Sequence, residues 1–494
     1  MEQKEGGYIM NNPNNKSGII PMDNWNMGGL SSSKFSGKKN SFFKIIGFNM
    51  HDTPGIITVE QKMTKDSATT VTELCKVSVN SSNGAQYWFS SDSGKIWERT
   101  SAGAWRLVHT TTPAAGAALC LGAAEYQGYI YWATQSRLHR ITVANASTND
   151  WATDAVEDWA TFTNTDISFH PMYSHPSQQI LYIGDANYVA QVDAGTFSAN
   201  ALDIKTPLRI KSLGQIATDL LIGTYVADTV TKTEIIRWNG WSVSFTNSDP
   251  IPEIGINAFL QADNFTLVQA GNKGNLYYYN GEQLELYGRI PGDYSSTAYG
   301  EVYPYSVANK EGQILFGFSN GSGNPADQLI YRIARHDKDY PYIMDQPYPI
   351  SARSGSDFVL TGLSLGAILV VGSDIYVSWK SGSTYGIDKL DASNKLDGAY
   401  IESRIMTVNR EEFANMSKIV VSYADLPAST DIDMYIDRNY AGYGSALAKV
   451  DDVDRNIIST KDEQTDFSTL QLKIKVTTNS NDAPKIESAG VFVP

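Results

Sequence analysis

Few residue clusters in this chain have the types and spacing that chemistry requires. His170 and His175 flank Pro171-Met172-Tyr173-Ser174. Two imidazoles can ligate zinc, but this spacing fits no zinc pattern and no Cys accompanies the pair. Asp451-Asp452-Val453-Asp454 and the carboxylates of Asp431–Asp437 offer oxygen ligands to calcium. Neither run carries the Gly and terminal Glu of a calcium loop, so both read as solvated loop carboxylates. No nucleophile elbow, P-loop or dinucleotide fingerprint stands in a supporting strand–helix context. No catalytic, cofactor-binding or metal-ligating residue is therefore assigned, and the chain is read as a non-enzyme.

The elements that would position any site are short strands. Residues Phe265 to Tyr287 read FTLVQ, a Gly/Asn turn, LYYY, an Asn280-Gly281 turn, then LELY. Runs this short and rich in Tyr, Leu, Phe and Val predict strands, and Asn-Gly suits a two-residue type I′ hairpin turn. The same antiparallel form recurs. Gln86–Phe89 turns at Asp92–Gly94 into Ile96–Glu98, and Tyr129–Ala133 turns into Leu138–Val143. Gln179–Ile183 precedes Tyr188–Val192, and Glu234–Trp238 turns at Asn239-Gly240 into Trp241–Phe245. Gln313–Phe318 precedes Gln328–Ile333, and Ile375–Trp379 precedes Tyr385–Leu390. Turns recurring at roughly 40–60 residues are the spacing of propeller blades. About seven units fit between residues 55 and 395, so the fold class is all-β, a divergent β-propeller.

Three regions are expected: an extended N-terminal arm over 1–41, the propeller over 42–398, and a C-terminal β-sandwich over 399–494. The arm is rich in Asn, Gly, Ser and Lys. Its sparse apolar residues, above all Trp25, Met27 and Leu30, read as anchors for a neighbouring subunit, with a disordered leader as the alternative. Phe42–Phe48 is expected to supply the outer strand of the last blade and close the ring. In the tail, Leu470, Leu472, Ile474 and Val476 alternate with polar residues, as half-buried antiparallel strands do. One helical turn is expected at Arg410–Met416.

Composition sets further bounds. The 494 residues carry a net charge of −14, with 42% hydrophobic and 11% aromatic residues. So acidic a chain is no general nucleic-acid binder, although it suits a conduit that DNA traverses without sticking. Cys75 and Cys120 lie in apolar strand-like runs and are expected as buried free thiols, with a disulfide as the alternative. No secretory signal is seen at the N-terminus, and no apolar run is long enough to span a bilayer.

Two resemblances follow. Ser90-Ser91-Asp92-Ser93-Gly94-Lys95-Ile96-Trp97 matches S-x-D-x-G-x-x-W and resembles the Asp-box of sialidase-like propellers. There Asp92 would bond the turn backbone, Gly94 would permit the turn and Trp97 would pack in the blade. Arg289-Ile290-Pro291 resembles part of a sialidase motif but lies downstream of the box and lacks the preceding aromatic. In layout the whole chain resembles virion proteins of tailed bacteriophages. The likeness rests on the Trp25-Asn26-Met27-Gly28-Gly29-Leu30 arm, the Asn49 to Gly55 lead-in, and the Trp238–Gly240 and Tyr279–Gly281 hairpins. The closing strands at Lys418–Asp437 and Leu470–Val493 complete it. It implies a tail hub or nozzle protein of a short-tailed phage, made in the host cytoplasm and assembled into the virion. Its partners would be copies of itself in a ring, neighbouring tail or adaptor proteins, and passing genomic DNA. The alternatives are a propeller of the tail tip that binds a host receptor or glycan, and a sialidase-like hydrolase.

Overall fold

The computed structural model describes residues 18–38, 40–165, 167–226, 232–262, 265–322, 329–352, 363–407, 414–450 and 458–493. Contacts divide the chain into two units, one of 1–64, 329–358 and 390–494, the other of 65–328 and 359–389. Residues 42–64 and 329–358, expected in the propeller, thus group with the C-terminal segment.

Among its described residues the second unit is a β-propeller of six blades. Five are four-stranded antiparallel meanders that begin at Cys75–Asn80, Gly122–Tyr126, Met172–His175, Leu208–Ile216 and Ile256–Gln261. The sixth contains Leu363–Val371, Asp374–Ser381 and Thr384–Lys395. Between fifth and sixth stands the hairpin Tyr299–Lys310 and Gln313–Ser322. Successive first strands pack side by side, and Leu363–Val371 returns to Cys75–Asn80.

Closure falls to Lys65–Ser67 rather than to Phe42–Phe48. Lys65 Nζ donates to the Tyr385 carbonyl at 2.6 Å, and the Asp66 amide to the Ile387 carbonyl at 2.9 Å. Ser67 Oγ accepts from the Ile387 amide at 2.9 Å. The Asp66 carboxylate then reaches the first blade, accepting from Arg99 Nε and Trp105 Nε1, each at 2.7 Å. Phe42–Ile46 instead pairs with Tyr400–Ser403 and, in parallel, with Ile343–Tyr348 inside the first unit.

Local structure departs from the sequence reading in its turns, one strand and two helices. The hairpin after Tyr279 is a four-residue loop in which Asn280 Oδ1 accepts the Glu282 and Gln283 amides and only Gly281 adopts positive φ (95°). Asn239 Oδ1 likewise gathers the Trp241 and Ser242 amides, with Gly240 at φ 83°. The strand that follows is Asn247–Ile251, not Trp241–Phe245, whose apolar residues have no strand partner. Two short helices, Val143–Thr148 and Trp151–Asp154, went unforeseen. Thr142 caps the first, and Trp151 packs on Tyr87 and Trp132. Of the expected turn at Arg410–Met416, residues 410–413 lie outside the described residues and Ala414 opens the strand Ala414–Asp425.

In the first unit two sheets share one apolar cluster. One sheet runs Gly18–Met22, Lys485–Val493, Ala414–Asp425, Ile458–Phe467. The other includes Phe42–Ile46, Tyr400–Ser403, Thr469–Thr477 and Asp431–Arg438. Trp25, Ile419, Met434, Leu472 and Val491 meet in the shared core. The Thr469–Thr477 strand is covered on both faces rather than half-buried. Gln471 Nε2 donates to the Ser403 carbonyl at 2.8 Å, and the Lys473 ammonium lies 3.5 Å from Glu402 and 4.2 Å from the Tyr400 ring centre. The unit also buries charge. Arg332, 1% exposed, forks onto Asp345 at 3.1 and 2.7 Å and donates to Glu60 at 2.6 Å. Burial opposes ionisation of Asp345, but Arg332 and His51 outweigh it and hold the carboxyl below its usual range.

Trp25 belongs to this core rather than to a free arm. It is fully buried, stacks on Phe42 at 5.4 Å, and donates Nε1 to the Glu487 carbonyl at 2.7 Å. The indole has a long apolar edge and one donor, and both are satisfied inside its own chain. Trp25→Ala should therefore cost about 3–5 kcal/mol. Denaturant unfolding of the variant checks this; an unchanged midpoint would mean the tryptophan docks elsewhere.

The second unit buries titratable groups of opposite pH sense. Burial lowers His139 and His170 to about 4, and raises Asp185 to about 6. The histidines, neutral when folded, take up protons first in the unfolded chain, so they cost stability as pH falls from the usual histidine range towards 4. Asp185 binds its proton more tightly when folded, so its contribution is full below the usual aspartate range and is lost as pH rises through about 6. The two effects oppose one another on acidification. Asp185→Asn should be more stable than wild type at pH 7, and should lose stability more steeply between pH 6 and 4. Melting temperature against pH measures both.

Candidate functional site

The groups in the propeller that converge as a site would lie along its axis. Tyr299–Lys310 is long and polar-rich and contains Pro304, which cannot donate to a ladder and so marks a bulge. Val302 pairs with Phe318 and Val307 with Phe316, so residues 303–306 bulge out of register. The Tyr305 hydroxyl oxygen accepts the Ala123 and Met172 amides, both at 3.1 Å, from the first strands of the second and third blades. Tyr303, Pro304 and Tyr305 thus fill the axis. Beyond this filling, Met172, Tyr173, Leu213, Phe259, Gln261 and Val307 line a recess of about 250 Å³.

On the other side, where the first strands begin, charged groups gather. Lys211, 8% exposed, donates Nζ to Asn257 Oδ1 at 2.7 Å and to Glu301 Oε2. Asn257 is held in turn, donating Nδ2 to Gln269 Oε1 at 2.7 Å and to the Gly271 carbonyl at 2.6 Å. Gln269 Oε1 also accepts the Val302 amide at 3.1 Å, so the chain of bonds ends on backbone. The Phe169 ring lies 4.9 Å from Lys211 Nζ. Lys76 places its ammonium 4.2 Å from the centre of the Tyr303 ring. Burial pushes Lys76 below the usual lysine range, with the Glu301 carboxylate opposing that shift. Asp92 and Lys380 also act on Lys76 through charge.

These axial residues escaped the sequence reading; the Pro inside the Val302–Ser306 strand pattern was the available signal. The residues singled out from sequence lie elsewhere or do other work. Ser90, rather than Asp92, organises the Asp-box turn: its Oγ accepts the Asp92 and Ser93 amides at 3.0 and 2.9 Å. Ser90 and Ser93 donate their hydroxyls to Glu73, which also takes Lys95 Nζ at 2.6 Å. Burial works against the Glu73 carboxylate, but Lys95 and the two serines hold it below its usual range. Gly94 is required because a Cβ there would meet the Thr111 carbonyl oxygen at 2.2 Å. Trp97 is buried among Trp88, Tyr376 and Ile387.

Arg289, on the last strand of the fifth blade, lies over Tyr294 at 4.3 Å and donates Nε to the Lys273 carbonyl at 2.8 Å. His170 is stacked on Phe162 at 3.9 Å with its nitrogens facing the Gly184 and Gln135 carbonyls. His175 is buried separately and faces Ser177 and the Gln178 amide. Asp431 pairs with Lys449 at 3.0 Å, Asp437 accepts the Gly442 amide at 2.8 Å, and Asp451–Asp454 lie outside the described residues. Among the described residues no three His, Cys, Asp or Glu side chains are grouped as a metal site requires. Cys75 and Cys120 are buried free thiols, and burial pushes Cys120 up to about 12. In the arm, the Leu30 amide donates to the Met344 carbonyl at 2.7 Å, while Met27 is 47% exposed. Among the described residues no helix is long and apolar enough to cross a membrane.

No protein-family description and no curated protein matches the sequence. Solved structures similar to the chain include the extracellular domain of a one-component system from B. thetaiotaomicron, at 13% identity and a TM-score of 0.45. That match covers 75% of this chain, which spans 44% of the other. A streptogramin B lyase is similar at 10% identity and a TM-score of 0.44, covering 67% of this chain and 98% of the lyase. Virginiamycin B lyase from Staphylococcus aureus is similar at 13% identity and a TM-score of 0.45, covering 67% and 99%.

Proposed function

We propose that this chain is a non-catalytic structural protein of a tailed-phage virion, a ring-forming hub or nozzle at the DNA exit channel. The phage assignment rests on the layout of arm, lead-in and blades in the sequence. The assembly role draws support from one observation: Trp241 and Val243, two residues apart on a fourth-blade loop, are 73% and 97% exposed. A large indole and a branched aliphatic side chain held out together in water mark a contact surface, whereas single exposed apolar residues are ordinary. The filled axis fits this reading, because DNA would then pass through the ring of subunits and not through a propeller. In finer detail, the hairpin Tyr299–Lys310/Gln313–Ser322 is proposed as the inner half of a seventh blade, and the two sheets of the first unit as a β-sandwich.

The receptor- or glycan-binding reading is favoured by a different observation, the cationic and aromatic groups at the axial mouth. The hydrolase reading has the least support, since Arg289 is spent on Tyr294 and a backbone carbonyl.

The purified chain should form rings of defined stoichiometry by light scattering and electron microscopy. Changing Trp241 and Val243 together to Ser should leave the melting temperature within about 1–2 °C, as surface substitutions do, while lowering the oligomer fraction severalfold. A chain that stays monomeric at high concentration, or one that turns over a sialoside, would overturn the assignment.

A further inference from the structure

We propose that the mouth of the propeller axis binds a monoanionic oxyanion, the carboxylate or sulfate ester of an acidic sugar, with Lys76 as the residue that contacts it. Among the described residues Lys76 Nζ makes no hydrogen bond or ion pair, and the Tyr303 face is its nearest partner. An ammonium has three donors, and a ring face satisfies charge without accepting those protons in line. Burial of such a group is costly unless an anion or water meets it. The neighbouring cation is differently placed. Lys211 is fixed by Asn257 and Glu301, and Asn257 is itself tied through Gln269 to the Val302 amide. One lysine is therefore held by the protein, while the other keeps its donors for an incoming group.

Charge sets the class of ligand. Lys211 and Lys380 act on Lys76 as further cations, and Glu301 and Asp92 as carboxylates. Those carboxylates repel a second negative charge on a ligand, so a monoanion is favoured over a phosphate dianion. In a chain of net charge −14, clustered lysines are a local attraction for anions. The Phe169 and Tyr303 rings stand beside the two ammonium groups, aromatic neighbours of the kind on which sugar rings pack. This binding goes beyond the assembly role and stands apart from it, since it is measured on the purified chain in whatever oligomeric state it has.

Calorimetric titration with glucuronate, glucose 6-sulfate and neutral glucose tests it. Saturable binding of at least one anion and none of glucose is expected, and the anion that binds identifies the source of the charge. Lys76→Met should weaken binding about 10- to 100-fold, the worth of a hydrogen bond to a charged group. Lys76→Arg should restore it. The Met variant should melt no lower than wild type, because it removes a buried cation that the protein does not pair. Failure of both anions to bind, equal binding of glucose, or full affinity in Lys76→Met would each overturn the proposal.

Discussion

The propeller depends on what occupies its axis. First strands that converge on a common line leave a column too wide for their own side chains and too narrow to be left empty without loss of contact. Here the column is filled by a bulge from one strand, and the Tyr305 hydroxyl accepts two amides from blades on the other side of the ring. A phenol suits this position because its body replaces lost dispersion contacts while its oxygen satisfies donors that a propeller exposes at the axis. The bulge also divides the axis into a charged mouth and a recess behind it. The candidate site is a by-product of that division.

The two units handle polar burial in different ways. In the first, Arg332 gathers Glu60 and Asp345, with His51 Nε2 at 3.2 Å from the same carboxylate. Taking any one partner away leaves an uncompensated charge, so such a cluster enforces a single arrangement more than it stabilises one. In the propeller, burial favours neutral His139, His170 and His175, which bond to backbone or hydroxyl groups, as His139 does to Thr134 and to the Asp158 amide. His170 faces Gly184 of the third blade and Gln135 of the second, and burial withdraws these imidazoles from acid–base chemistry near neutral pH.

Much of the strand pattern was legible, because the middle strands of blades are apolar and end in Gly, Asn or Asp. Ile180–Asp185, and Thr266–Ala270 before Gly271-Asn272, illustrate this. First strands were harder to see. Gly122–Tyr126 and Met172–His175 are short and mix small or polar residues with apolar ones, since they face neighbouring blades and the axis together. Trp241–Phe245 misled because an apolar run looks like a strand whether or not a partner exists. The arm misled in the opposite direction: a polar segment with one tryptophan looks unfolded until a distant groove is known to receive it. The mouth was illegible for a simpler reason. Lys211 and Glu301 are 90 residues apart, and nothing local marks either as the other's partner. Only Pro304 hinted that its strand leaves the ladder.

The clamp at Lys65–Ser67 has a consequence for synthesis. Ser67 is bonded to Ile387, 320 residues later, so the ring cannot close until nearly the whole propeller has been made. At ordinary translation speeds of about 5–20 residues per second, that wait lasts roughly 15–60 s. Throughout it the first blade lacks its neighbour on one side, and Trp88 and Trp97, which close on the last blade's Tyr376 and Ile387, have no cover. The nascent chain is therefore most exposed to pairing with other copies just before it is finished. Growth temperature and chaperone supply during that interval should govern how much of the protein is recovered folded.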